Sequence, residues 1–293
     1  MDVYLIDGTY ELFRHYFAVP KTTDANGNEI AAVRGVLASV LSLLEKGTTH
    51  LGVATDHVVE SFRNELYANY KTGEGVPADL MSQFVLLEEG LQAMGVVVWP
   101  MVEFEADDAL AAAAVKAAKD PSVDTVIICT PDKDLSQCVV ADKIVQLDRR
   151  KNETRNAEGV FKKYGVKPET IPDYLALVGD TSDGYPGLQG WGSKGASSVL
   201  SIYPHLEDIP KDAKLWSAAI RGSAKLAETL FNTWDDVLLY RKLATLRTDA
   251  PVFNTVDELK WTGPTDKFEA FCTRLKTPYL YKKTMAVIKA PGA

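Results

Sequence analysis

Cysteine and histidine are both scarce, with three Cys and four His in 293 residues. An odd, sparse cysteine count excludes a disulfide framework and fits a reducing compartment. The scattered histidines exclude a zinc finger. No apolar run approaches ~18 residues, so no transmembrane helix and no membrane partner are expected. The start, Met1-Asp2-Val3-Tyr4-Leu5-Ile6-Asp7, lacks the basic region and cleavage signature of a secretory leader. The expected location is therefore cytoplasmic. With 46% hydrophobic and 25% charged residues, the composition is that of a globular protein and excludes disorder, collagen and coiled coil.

Positive charge is also in deficit, 32 Lys and Arg against 40 Asp and Glu, a net of −8. The deficit is uneven. Residues 1–140 carry 9 bases and 21 acids, while residues 141–293 carry 23 bases and 19 acids. Opposed halves suit an acidic part that binds cations and a basic part that holds a polyanion. A solvated acidic surface is the alternative reading of the same numbers.

Five short apolar runs predict strands: Val3–Ile6, Leu51–Thr55, Gly95–Pro100, Thr125–Cys129 and Lys143–Leu147. Helical spacing fills Ala31–Lys46, Asp79–Met94 and Ala106–Lys119 between them. This alternation predicts an α/β fold with a mostly parallel sheet flanked by helices. Beyond about residue 165 helical patterns dominate, at Pro168–Val178, Gly195–Ile202, Trp216–Leu230 and Trp234–Thr245. The expected division is an α/β domain over 1–165 and a helical region over 166–293.

The acids fall at the ends of the predicted strands. Asp7 follows the first and Asp56 the second. Glu105, Asp107 and Asp108 open the helix after the third, and Asp132 and Asp134 follow the fourth. Asp180 and Asp183 are spaced as one helical turn, as are Glu105 and Asp108. Ligands of open parallel sheets bind beyond the carboxyl ends of the strands, so these acids should converge on one edge. Any one of them alone is equally an N-cap or a turn former. As a group they repel unless a cation compensates. Oxygen ligands without Cys or His suit a hard ion, Mg²⁺ or Mn²⁺. Two such ions ~4 Å apart form a clamp for phosphodiester hydrolysis.

Two further stretches could meet a phosphate. Gly187-Leu188-Gln189-Gly190-Trp191-Gly192-Ser193-Lys194 is a glycine-rich turn between helical segments, with a lysine at its end. It lacks the strand and spacing of a nucleotide-binding P-loop, and a purely structural turn is its alternative. In Phe62–Lys71, Arg63 and Lys71 are candidate phosphate contacts and Tyr70 a candidate base-stacking ring. A solvated helix carrying a core aromatic is the alternative there.

Together these motifs resemble the flap endonuclease family, most closely its bacterial and phage branch, which includes the N-terminal 5′ nuclease domain of DNA polymerase I. The resemblance runs through Leu5-Ile6-Asp7-Gly8, Phe62-Arg63 to Tyr70-Lys71, Glu105-Ala106-Asp107-Asp108-Ala109 and Asp132-Lys133-Asp134-Leu135. It continues through Tyr174–Asp183, Gly187–Ala196 and Lys242–Asp249. It implies a PIN-like domain with a helical arch around 62–95 and a helix-hairpin-helix type element around 180–202. It implies Mg²⁺-dependent cleavage of DNA bearing 5′ flaps, overhangs, nicks or gaps, by a monomer working in replication or repair beside a polymerase or ligase.

Carried over by position, Asp7, Asp56, Glu105, Asp107, Asp108, Asp132, Asp134, Asp180 and Asp183 would hold the metal. Lys71 and Arg63 would assist at the scissile phosphate. Arg14, Tyr70, Gly187, Gly190, Gly192 and Lys194 would contact DNA, the glycine turn around a K⁺ ion. Three positions depart from the family pattern: Glu74 in a stretch that usually carries arginine, Pro131 before the acid pair, and Gly184 where asparagine is usual. They leave a non-catalytic junction-binding protein of the same fold as the alternative. A small-molecule phosphatase is disfavoured by the basic second half.

Overall fold

The computed structural model describes residues 1–289. They form two compact units, one of Met1–Val59, Gly73–Thr130 and the chain from Thr248 on, the other of Glu60–Thr72 and Pro131–Arg247.

The first unit is built on four parallel strands, β1 (Val3–Asp7), β2 (His50–Asp56), β3 (Val97–Met101) and β4 (Val126–Cys129), ordered β3-β2-β1-β4. Leu5 lies opposite Gly52 on one side and Ile128 on the other, and Asp7 opposite Ala54. β2 is buried along its whole length. That explains why these strands read as unbroken apolar runs, since a sheet covered on both faces has no solvent side to alternate with.

In chain order the first helices are α1 (Gly8–Ala18), α2 (Ala31–Glu45), α3 (Phe62–Leu66), α4 (Ala78–Ala93) and α5 (Ala106–Ala118). Then come α6 (Ala157–Tyr164), α7 (Ile171–Val178), α8 (Ser193–Leu200), α9 (Ser223–Asn232) and α10 (Trp234–Ala244). The last two are α11 (Phe268–Arg274) and α12 (Pro278–Lys289). In α5 the run Ala111–Ala114 is buried. Side chains this small let the helix lie close on the sheet, and alanine pays no rotamer entropy for it.

The second unit holds a hairpin of β5 (Ile144–Asp148) and β6 (Glu153–Arg155), and the helices α3 and α6 to α10. Its core gathers Leu175, Leu177, Tyr185, Trp191, Val199, Leu200, Val237 and Leu243. Helices α7 and α8 are joined by the glycine-rich turn. Gly179 and Gly187 meet back to back there, both at positive φ, and a Cβ on Gly187 would lie 2.3 Å from the Gly179 nitrogen. No other residue fits at either position.

One expected helix needs correction. The helix read over Trp216–Leu230 begins only at Ser223, because Gly222 enters it at φ +73° and residues 217–220 make a turn. Trp216 serves as a plug instead, donating its indole N–H to the Pro210 carbonyl at 2.7 Å. Helix α1 has no counterpart among the expected elements; Asp7 starts it by accepting the Tyr10 N–H at 2.8 Å. The stretch 62–95, where the resemblance implies an arch, holds α3, a link over 67–77 without helix, and α4.

Candidate metal centre

Parallel pairing places the first five acids. Asp7 and Asp56 are the last residues of β1 and β2, at the carboxyl edge of the sheet. Asp7 also accepts the Thr130 hydroxyl at 2.9 Å. Asp56 accepts the Ala106 N–H, at the first turn of α5, at 2.8 Å. That turn carries Glu105, Asp107 and Asp108, and the Glu105 N–H donates to the Asp108 carboxylate at 3.1 Å. Asp7, Asp56, Glu105 and Asp108 are all buried. The start of α5 supplies oriented amides for this charge.

In the second unit the loop after α7 is pinned by a reciprocal backbone pair between Asp180 and Tyr185, at 2.9 and 3.1 Å. It brings Asp180 and Asp183 beside Asp134, so that one carboxylate oxygen from each lies within 4.8 Å of the others. Asp134 is 5% exposed, and its Oδ1 is fully buried without a hydrogen-bond partner. Burial first, then the charges of Asp132, Asp183 and Asp180, push its pKa well above the usual carboxylate range. A buried, unpartnered oxygen in an all-carboxylate cluster fits a hard divalent cation, and no sulfur or imidazole donor belongs to the group.

Lys133, which the sequence reading passed over, is the local counter-charge. Its Nζ lies 2.8 Å from Asp180. Burial works against its ammonium, but the bond to Asp180 and the surrounding acids outweigh it and raise its pKa. Tyr185 was missed as well. It is buried, its hydroxyl has no hydrogen-bond partner, and burial with the neighbouring carboxylates pushes its pKa up. In the sequence Lys133 lies inside an acid motif and Tyr185 just beyond one, and no other signal marks either.

The acid-bearing loop is held from behind by amides. Gln146 donates to the Asp132 carbonyl and accepts from Ser136 at 2.9 Å and Arg155 at 3.1 Å. Gln137 donates to the Asp134 and Ala244 carbonyls, both at 2.9 Å, and accepts the Leu246 N–H at 3.0 Å. The Lys242–Asp249 motif thus has a structural reason: its backbone braces the turn that carries Asp134.

Two candidate DNA contacts need correction. Arg63 is 1% exposed and donates to the carbonyls of Leu243 at 2.8 Å and Thr245 at 3.2 Å. It holds the same motif rather than facing a phosphate. Tyr70 is buried, and its ring stacks on Tyr185 with centroids 6.5 Å apart, so that face is closed to a base. Lys71 is half-buried, and its N–H donates to the Asp183 carbonyl at 3.0 Å, which ties it to the acid loop.

Gly184 explains its own departure from the family pattern. It sits at φ +83°, and a Cβ there would lie 2.3 Å from the Asn69 carbonyl oxygen. The loop closes on the Lys71 segment only with glycine. Glu74 lies exposed in the link before α4.

Gly190, Gly192 and Lys194 are exposed, and nothing lies within 4 Å of a Cβ built on either glycine. That turn leaves room for a ligand to reach the backbone, whereas Gly187 is consumed in packing. Arg14 is paired with Glu11 at 2.6 Å on its own helix.

Comparison with known proteins agrees with this architecture. Residues 2–165 match the N-terminal resolvase-like domain of 5′-3′ exonucleases, and residues 166–267 match their C-terminal SAM fold. The chain belongs to the 5′-3′ exonuclease family. A 5′-3′ exonuclease of Aquifex aeolicus is 32% identical over 264 residues, covering 89% of this chain and 87% of that protein. The thermostable DNA polymerase I of Thermus aquaticus is 34% identical over 276 residues, covering 94% of this chain but 32% of the polymerase. The chain thus spans about a third of its polymerase relatives.

Among solved structures, the bacteriophage T5 D15 flap endonuclease in a complex with DNA and metal ions superposes at TM-score 0.65. It shares 17% identity and covers 99% of this chain and 98% of that one. The catalytic core of Rad2 in complex with DNA substrate superposes at 0.64, with 19% identity over 97% of this chain and 92% of that one. Both share the fold. No helix among the described residues is long and apolar enough to cross a membrane.

Proposed function

We propose that this chain is a divalent-metal-dependent, structure-specific 5′ nuclease that hydrolyses DNA phosphodiesters at 5′ flaps, overhangs, nicks or gaps and leaves 5′-phosphate products. The observation that carries the reading is the Asp134, Asp180 and Asp183 cluster, whose oxygens lie within 4.8 Å and include a buried oxygen without a partner. Asp134, Asp180, Asp183 and Asp132 of one unit, and Asp7, Asp56, Glu105, Asp107 and Asp108 of the other, would hold Mg²⁺ or Mn²⁺. Bound there, such ions supply Lewis-acid activation of water and neutralise charge on the phosphate.

The chain's own residues do the rest. Lys71, fastened through its backbone to Asp183, offers its ammonium to a phosphate oxygen. Arg63 positions the Leu243–Thr245 backbone and so acts through others. Gly190, Gly192 and Lys194 offer open backbone and a charge to duplex phosphates, a place where a K⁺ ion would fit the family pattern. Setting the nine acids aside, the formal charge of −8 becomes +1. Affinity for DNA should therefore fall steeply as salt rises, through counterion release.

The test is to incubate a flap duplex with the protein in Mg²⁺ and in EDTA, and to analyse product ends. Metal-dependent cutting near the junction that leaves a ligatable 5′-phosphate supports the proposal. Tight flap binding with no product in either Mg²⁺ or Mn²⁺ would make the chain a junction-binding protein instead.

A further inference from the structure

Helix α4 buries an apolar face of Leu80, Phe84, Leu87 and Leu91, and a carboxylate stands among them. Glu88 is 5% exposed. A buried carboxylate needs full hydrogen bonding to be tolerated. Glu88 obtains it from two donors: the Thr55 hydroxyl reaches its Oε1 at 2.8 Å, and the His57 Nδ1–H reaches its Oε2 at 2.8 Å. Those two residues flank Asp56.

At the end of a strand, neighbouring side chains point to opposite faces. Thr55 and His57 therefore reach α4 while Asp56 points the other way, where the Ala106 N–H meets its Oδ1 at 2.8 Å. The Asp56 backbone is fixed too, its own N–H donating to the Thr9 hydroxyl at 2.8 Å and the next N–H, of His57, to the Met101 carbonyl at 2.9 Å. One carboxylate thus clamps both sides of a residue assigned to metal binding.

We propose that Glu88 is a positioning residue for Asp56, which makes the seating of helix α4 a determinant of metal affinity in this unit. The inference rests on Asp56 being a metal ligand. Glu88 does not touch the metal. It sets the rotation of the β2 end, and with it the direction of the Asp56 carboxylate. The same clamp works in reverse: whatever seats α4 more firmly on the strand also orders Asp56. Binding linkage is reciprocal, so metal bound at Asp56 would favour the seated helix.

The test is Mn²⁺ binding to the full chain, followed by electron paramagnetic resonance without DNA. Outer-shell partners of metal ligands typically cost about 10–100-fold in affinity when removed. Glu88→Ala should weaken one class of Mn²⁺ site by that factor. Glu88→Gln keeps an acceptor for Thr55 and a polar atom facing His57, and should recover to within roughly threefold of wild type, well short of that loss.

Glu89→Ala is the control. It removes the exposed neighbour that pairs with Arg274 at 2.6 Å, and should bind Mn²⁺ like the wild type. Should Glu88→Ala fail to fold by circular dichroism, Thr55→Val removes one arm of the clamp at nearly constant volume, and severalfold weaker binding is then expected. Wild-type affinity in folded Glu88→Ala, or in Thr55→Val if it takes its place, overturns the positioning role alone. Absence of Mn²⁺ binding in the wild-type chain overturns the metal reading and this inference with it.

Discussion

Asp134→Asn should stabilise the metal-free protein and destabilise the metal-loaded one relative to wild type. Asp134 has a carboxylate oxygen within 4.8 Å of those of Asp180 and Asp183. At that separation each like-charge pair costs about 3.5 kcal/mol at an effective dielectric constant near 20. Lys133, 2.8 Å from Asp180, returns part of this. The carboxyl also escapes part of it by holding a proton, since its pKa stands well above the usual range through burial and its acidic neighbours.

Relief of that repulsion, less what Lys133 and the held proton already return, should leave a gain of roughly 1–3 kcal/mol in EDTA above neutrality. The folded protein holds this proton more tightly than the unfolded chain does. The penalty is therefore fully present above the raised folded value, fades as pH falls through it, and vanishes below the ordinary carboxylate range. The advantage of the variant should shrink in the same direction.

Saturating Mg²⁺ should reverse the order. A ligand at about 100 times its Kd adds about 2.7 kcal/mol to the protein that binds it. Urea denaturation at two pH values, with EDTA and with Mg²⁺, supplies the four comparisons. Loss of stability for Asp134→Asn in EDTA above neutrality would refute the repulsive-cluster argument.

Three further outcomes are expected. Arg63→Met leaves the Leu243 and Thr245 carbonyls without their donor, and should cost roughly 2–4 kcal/mol in urea denaturation; an unchanged midpoint would show that these bonds do not hold the motif. Tyr185→Phe removes a buried hydroxyl that has no partner, and should be neutral or stabilise by about 1 kcal/mol in EDTA, a clear loss showing that the hydroxyl is bonded. His205 gains a raised pKa, first from its hydrogen bond to Asp173 at 3.0 Å. That contribution is full below the ordinary imidazole value and is lost as pH rises through the folded one, so the Tm of His205→Ala should differ from wild type more in acid than above neutrality.

The placing of Asp7 and Asp56 was legible because residues that end neighbouring parallel strands share one edge of the sheet. Asp7 and Asp56 needed only the two runs before them to be strands, and β1 and β2 are. The turn Gly187–Lys194 was legible as a turn, but not its division of labour. Gly187 is spent on contact with Gly179, while Gly190 and Gly192 stay open.

What stayed hidden were the facings of side chains inside short mixed segments. Phe62–Lys71 has no periodicity strong enough to show that Arg63 and Tyr70 turn inward and that Lys71 is bound through its backbone to the acid loop. A charged residue in a polar-looking stretch reads as solvated until the carbonyls it satisfies are in view. The role of Lys133 depends on Asp180, 47 positions later in the chain, and no local pattern announces such a pair. Glu88 and Glu89 stand side by side in the sequence, and only the partners at Thr55 and His57 separate the buried one from the exposed one.

Cleavage of a 5′-labelled flap duplex in Mg²⁺ by the wild-type chain, beside Asp183→Ala, bears most directly on the claim that these acids make the protein a nuclease. The account predicts cutting near the junction by the wild type, none in EDTA, and a loss in the variant beyond the roughly 10²–10³-fold typical of removing one preorganised group, with the fold intact. Full Mg²⁺-dependent cutting by folded Asp183→Ala would contradict it.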